Sequence, residues 1–219
     1  RSSDLVSGRV TGAGRIDWAG GKLTSSGVFE TPGLDLAAAF GPARGIVGRV
    51  EFSDLLGLVT PPGQEMRIAA INPGIEVNDG VLRFALAPGR VLKIEGAQWP
   101  FLSGHLRLRP TAMTLGAAEV RRYVLEAEGI DAGEFLQRMD LPNLSATGRF
   151  DGVLPLVFDA DGGRAVGGQL VSRAGGGNVS YVGALSYRDL SPSANFAFQT
   201  LRSLDYRRME IGIDGQIDG

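Results

Sequence analysis

Gly104-His-Leu-Arg-Leu-Arg109 alternates without exception. In an extended chain Leu106 and Leu108 fall on one side, and His105, Arg107 and Arg109 on the other. This is the pattern of a strand with one apolar and one wet face. It recurs in Gly80-Val-Leu-Arg-Phe-Ala-Leu86 (Leu82, Phe84, Leu86), in Val91-Leu-Lys-Ile-Glu95 (Leu92, Ile94) and around Met209, Ile211 and Ile213. Gly148 to Phe158 reads as two strands with a break or bulge near Gly152 and Pro155. A loose repeat (Gly, any residue, aliphatic or Phe, any residue, apolar) joins Gly48–Phe52, Gly80–Phe84 and Gly104–Leu108, with variants from Gly8, Gly14 and Gly168. It places each glycine where a turn hands over to a strand. The irregular spacing excludes a strict solenoid and fits a long antiparallel meander. Asn78-Asp-Gly80, Asp161-Gly-Gly163 and Gly175-Gly-Gly-Asn178 read as turns, and so does the Gly-rich Gly162–Gly168.

Helical signals are few. Asp131 and Glu134 stand as N-cap and N3 of a capping box, Phe135, Leu136 and Met139 form an apolar stripe, and Pro142 stops it. Ser191-Pro192 opens a second helix, with Phe196 and Leu201 facing the sheet and Phe198 at its border. Ser53–Val59, closed by Pro61-Pro62, allows a third of one or two turns. The expected fold is mainly β: a long curved antiparallel sheet forming an open groove or half-barrel, with about three short helices. Residues 1–219 read as one continuous segment, without a linker or a sharp boundary.

Composition limits the function. With 43% hydrophobic and 21% charged residues, the 219-residue chain can form a core. A net charge of -2 argues against nucleic-acid binding. The absence of cysteine excludes disulfides, Cys-zinc sites and thiol catalysis, and a single histidine excludes multi-His metal sites. No run approaches the ~18 apolar residues of a membrane span; Leu34–Phe40 is short and interrupted by Asp35. The chain opens at Arg1 without a signal peptide and closes in mid-pattern, so it is expected to be a fragment of a longer protein.

Nothing catalytic stands out. His105 lies on the polar side of its strand and lacks an orienting acid, and no Gly-x-Ser-x-Gly occurs. Asp159-Ala-Asp-Gly-Gly163 lacks the later ligands of a calcium loop and reads as a hairpin turn. Lys22 and Lys93 are the only lysines among 22 basic residues. Arginine forks bind carboxylates or phosphates, but these are scattered on alternate strand positions and matched by 24 acids, as on a solvated sheet face. Trp99-Pro-Phe101 places two large aromatics at a corner between strands, either as packing or facing a ligand. The chain is read as a non-enzyme without cofactor or metal.

Several segments occur in a telling order: Gln64 and Ile71–Ile75, Asp79-Gly80, Ala97-Gln-Trp-Pro-Phe-Leu-Ser-Gly104 with its Leu-Arg-Leu-Arg-Pro110, Leu144–Leu156, Gly167–Leu170, Gly176–Tyr181, and Phe196–Tyr206 leading to Asp214-Gly215. Over roughly Asp35 to Gly219 this resembles the YdbH-type domain, historically labelled "dicarboxylate transport", of AsmA-like proteins. The resemblance implies a periplasmic location in a Gram-negative envelope, with the full-length protein anchored in the inner membrane by an N-terminal helix. It implies a bridge-like lipid-transfer protein in which a curved sheet forms an apolar groove for phospholipid moving between inner and outer membranes. The implied partners are phospholipid acyl chains, the inner-membrane anchor, and an outer-membrane lipoprotein or membrane partner. Phe84, Trp99, Phe101, Leu106, Leu108, Leu156 and Phe158 are then the candidate lining. Two other readings use the same alternation. One is a structural or assembly module with a filled core and no ligand. The other is a small-carboxylate binder, which needs converging arginines such as Arg107 and Arg109.

Overall fold

The computed structural model describes residues 6–38, 41–72, 76–116, 119–159, 162–182 and 202–217. Strands β1 (Val6–Ala19), β2 (Lys22–Ala38), β3 (Gly41–Phe52), β4 (Gln64–Ile71), β5 (Val77–Ala87), β6 (Val91–Phe101), β7 (Gly104–Leu108), β8 (Thr111–Thr114) and β9 (Arg121–Asp131) lead to helix α1 (Ala132–Arg138). Then follow β10 (Leu144–Ala146), β11 (Arg149–Asp159), β12 (Gly162–Ser172), β13 (Gly177–Tyr181), β14 (Leu204–Tyr206) and β15 (Glu210–Gln216). Twelve strands form one sheet in the order β1-β2-β3-β4-β5-β6-β7-β9-β11-β12-β15, with β8 beside β6. The sheet is antiparallel throughout and is not closed into a barrel. A second sheet, β10-β13-β14, is small.

The solvent-accessible surface is 13686 Å² for 23.1 kDa, whereas a compact monomer of that mass exposes about 9,700 Å². Among the described residues no large side chain is fully enclosed.

Three expectations are corrected. The described residues contain one helix, not about three. Ser53–Val59 is a hairpin turn: Ser53 N and Val59 O are 2.9 Å apart, and Asp54 bridges Val59. The Asp54 carboxylate accepts from Ser25 Oγ at 2.6 Å and from Gly57 N at 3.0 Å, and Leu58 is left-handed at φ 52. Local side-chain bonds of this kind compete with a helix, and they hold the Asp54 carboxyl below its usual range. The helix expected from Ser191 lies outside the described residues.

Second, Gly148–Phe158 is not two strands. Arg149 to Asp159 is one strand whose register slips against β9 near Phe150/Gly152 and against β12 between Val153 and Leu156. Gly162–Gly168 likewise belongs to β12, with Gly167 at φ 67 where the register shifts.

Third, Asn78-Asp-Gly80 is inside β5, and Trp99-Pro-Phe101 is inside β6. Asp79 does adopt φ 56, but its neighbours Asn78 and Gly80 pair with Ala70 and Ile68 of β4, and Gly45 of β3, at φ 61, lies between Arg44 and Ile46, which pair with the same two residues. Across β3, β4 and β5 the buried positions there are three apart: Ala43 and Ile46, Ile68 and Ile71, Val77 and Gly80. In β3 and β5 the left-handed Gly45 and Asp79 step the pleat by one place, which returns both members of each pair to the same side. The glycines of the loose repeat divide accordingly. Gly104 opens its strand, whereas Gly48 and Gly80 lie within theirs.

The helix at Asp131 forms as expected. The Asp131 carboxylate accepts from Glu134 N at 3.0 Å. The Glu134 carboxylate takes the Ser103 hydroxyl at 2.5 Å, while Asp131 N donates to Leu102 O, so the box is only half closed. Ala132 is buried and Met139 is 53% exposed, so the expected stripe is incomplete. Asp131→Ala is expected to lower the unfolding free energy by about 1 kcal/mol, read from the urea midpoint.

At β11 and the loop after β12, Arg173 Nε donates to both Asp151 oxygens at 2.9 and 2.8 Å, and Gly129 N donates to Oδ1 at 2.7 Å. The Arg173 guanidinium holds the Asp151 carboxyl below its ordinary value. A carboxyl lowered on folding contributes stability above its unfolded pKa of about 3.9, and that stability is lost as pH falls through the folded value. Asp151→Asn is therefore expected to be less stable than the parent at pH 7, and urea midpoints at pH 7 and pH 3 should show the gap closing in acid.

Candidate functional site

Strand register decides which side chains share a face. From Gly8 on β1 a row crosses the sheet through Leu34, Ile46, Ile68, Gly80, Trp99, Leu106, Ala127, Gly152, Leu170 and Ile211. It takes one residue from each strand in line, and none carries a charged or amide side chain. A parallel row contains Gly48, Met66, Leu82, Ala97, Leu108, Leu125 and Leu154. The opposite face is ionic. Arg107 Nη1 lies 2.9 Å from Glu128, Arg109 Nη2 lies 2.7 Å from Glu126, and Arg83 lies 3.4 Å from Glu65. His105 is exposed there, across from Glu128.

The seven candidate lining residues fall as follows. Trp99 and Leu106 are buried members of the larger apolar cluster, and Phe101 and Leu108 pack against it. Phe101 also lies 5.6 Å beneath the Arg138 guanidinium of α1. Leu156 belongs to a second cluster with Ile94, Met113, Tyr123 and Ala165, and Phe158 packs on its edge, 5.7 Å from the Tyr123 ring. Burial raises the Tyr123 hydroxyl pKa. Leu82, Leu108, Leu125, Leu154 and Ile213 touch both clusters and join them into one apolar surface. Phe84 is buried opposite Ile94 and Gln64. Ile46, Ile68, Ala127 and Leu170 lie on the same face and were not singled out from sequence. Only a knowledge of the register adds them.

One end of the face is covered. Ala132 of α1, Ala146 of β10 and Tyr206 of β14 join the larger cluster, and Phe150 meets the Tyr206 ring at 6.2 Å. The Tyr206 hydroxyl donates to Thr147 O at 2.6 Å, and Arg138 reaches Glu76 O at the start of β5. At the other side of the sheet every residue of β1 is exposed, with Trp18 at 81%. A depression of about 550 Å³ opens at the register shift of β2, edged by Arg9, Glu30, Pro32, Val47 and Arg49. It is shallow and charged, and physically the apolar face is the stronger candidate.

The geometry offers a broad hydrocarbon surface and little chemistry. Arg107 and Arg109, the arginines an anion site would use, are each engaged by a glutamate on the wet face. Among the described residues no three His, Cys, Asp or Glu side chains converge to hold a metal ion, and no helix is long and apolar enough to cross a membrane.

A family model described as "YdbH-like: Intermembrane phospholipid transport protein YdbH" matches residues 1–219, the whole chain. No curated protein and no solved structure matches it.

Proposed function

The chain belongs to the YdbH-like family of intermembrane phospholipid transport proteins, and on that premise we propose that its apolar sheet face lines an open periplasmic groove that carries phospholipid acyl chains between inner and outer membranes. The family is not a known enzyme family. The observation that carries the reading is the row from Gly8 to Ile211, apolar in every strand it crosses. Each methylene kept from water is worth about 0.8 kcal/mol, so a tail of about 15 methylenes would face on the order of 12 kcal/mol in water. A face of this kind removes the part of that cost that belongs to the side of the tail turned to it. It also lacks deep polar minima, so a tail is free to slide. In this reading Phe84, Trp99, Phe101, Leu106, Leu108, Leu156 and Phe158 are lining residues. The longer protein supplies the inner-membrane anchor, and a lipoprotein or the membrane itself receives the lipid at the outer side.

The test is native mass spectrometry with lipid extraction of the chain made in a Gram-negative host, followed by uptake of a fluorescent phospholipid. Co-purifying phospholipid is expected, with loss of at least most of it in Leu106→Asp at unchanged circular dichroism. Leu108→Asn, at a half-buried position, serves if Leu106→Asp fails to fold. A lipid-free chain that also takes up no labelled phospholipid would overturn the proposal and leave a ligand-free structural module as the better reading.

A further inference from the structure

The open depression across β1, β2 and β3 is where the charge pairing of the wet face fails. Farther along the sheet arginine and glutamate meet one to one: Arg83 with Glu65, Arg107 with Glu128, Arg109 with Glu126. Around the depression two guanidinia, Arg9 and Arg49, have one carboxylate, Glu30, between them. None of the three is in an ion pair with a described residue. Glu30 stands in register with Thr11 on one side and Arg49 on the other. It can neutralise one arginine at a time, so one positive charge is left over. Arg67, in register with Val47 at the rim, and Glu51, two places beyond Arg49, add one charge of each sign and leave that excess unchanged. The chain builds the hollow itself. Pro32 has no N–H to give to a ladder, and the register shifts beside it on both sides, against β1 and against β3. Thr31, only 6% exposed, holds the gap: its Oγ1 donates to Arg9 O at 2.8 Å and accepts from Gly33 N at 3.2 Å. The resulting space of about 550 Å³ is in the range of small-ligand sites.

We propose that this depression binds a phosphodiester that carries an ammonium group, the chemistry of a phosphoethanolamine head, with Arg9 and Arg49 on the phosphate oxygens and Glu30 on the ammonium. Guanidinium forks match phosphate oxygens and form the stronger, charge-assisted hydrogen bonds. A bare anion would meet Glu30 as well as the arginines, whereas a ligand of both signs meets each group with its opposite. Of ligands with that pair of charges, a phospholipid head is the one that an intermembrane phospholipid transport family meets. The backbones of Arg9 and Arg49 are two strands apart, about 10 Å, so the two side chains approach one ligand from opposite rims. Arg49 follows Gly48 of the second apolar row and so projects to the other face. The site is therefore separate from the apolar face and stands or falls independently of the reading of that face as a lipid lining.

The test titrates the intact chain with two soluble probes, glycerophosphoethanolamine and glycerophosphoglycerol, which share the phosphodiester and differ in the ammonium group. Binding is followed by the amide NMR shifts of Thr11, Glu30 and Gly48. The ethanolamine ester is expected to bind about five-fold more tightly, the upper range for one exposed ion pair. Glu30→Gln is expected to abolish that preference, and Arg9→Gln or Arg49→Gln to weaken both esters about ten-fold. All three side chains are exposed, so the variants should fold. Sedimentation with phosphatidylcholine vesicles containing phosphatidylethanolamine separates the two sources of the group. Vesicle binding that is lost when both arginines are replaced identifies a lipid headgroup; vesicle binding that is unchanged, with the soluble ester still bound by the parent and released by the double variant, identifies a free ester. Equal affinity for the two esters, or undiminished affinity in the double variant, overturns the proposal. So does the absence of amide shifts together with vesicle binding insensitive to both arginines. Failure of the lipid lining would instead appear as loss of fluorescent phospholipid uptake, which these variants are expected to leave unchanged.

Discussion

Gly80→Ala is expected to destabilise the chain by about 3 kcal/mol, the upper range for forcing an extra group into a packed surface. For a chain of this size that is a fall of about 6–12 °C in melting temperature. The cause is specific. Gly80 lies inside β5 with an ordinary backbone, so conformational strain is not the issue. Its added methyl would meet the Trp99 indole, which cannot retreat without leaving the packing of Ile68 and Leu106. The check is a double-mutant cycle. In a Trp99→Leu background the ring is gone, and Gly80→Ala should cost no more than about 0.5 kcal/mol, the scatter seen for uncoupled sites. Equal cost in both backgrounds would show that the indole is not what the glycine accommodates.

Phe150→Ala is expected to cost about 4 kcal/mol, the cost typical of deleting a buried aromatic ring. Phe150 is 4% exposed and stands where three parts meet: Ile130 of β9, Ala132 of α1 and the Tyr206 ring of the small sheet. Its removal should act unevenly. Amides of Leu144–Ala146 and Gly177–Tyr181 should lose hydrogen-exchange protection well before those of β4 to β6, because Phe150 joins Tyr206 of the small sheet to the large one. Uniform loss across the chain would show that Phe150 stabilises the whole sheet instead of joining its cover.

Much of this was legible beforehand, and the reason is the pleat. Wherever strands keep a strict period of two, as from Gly104 to Leu108, the face of each residue follows from counting. Counting fails where a left-handed residue shifts the pleat. Asp79 has the residue type and conformation of a turn, yet its neighbours continue to pair with β4, so a real local signal pointed to the wrong element. Ile46 is hidden for the same reason, since the left-handed Gly45 breaks the alternation around it. Asp131 revealed its helix because capping is local, whereas Ser53–Val59 needed knowledge that Ser25, far away in sequence, would hold Asp54. The candidate lining could be proposed residue by residue from alternation, but its continuity depends on which strands are neighbours.

The strand order has a consequence for length. Nearly every strand pairs with its neighbours in sequence, so the long axis of the apolar surface runs across the strands and not along them. Eleven strands in line, separated by steps of about 4.8 Å, make a ruler of about 48 Å whose graduations are individual strands. Inserting or deleting one hairpin changes the span by about 10 Å while leaving the pairing on either side of the junction intact. In such a sheet, reach is a quantity that evolution or an engineer can adjust in whole hairpins, independently of the surface chemistry that each strand presents.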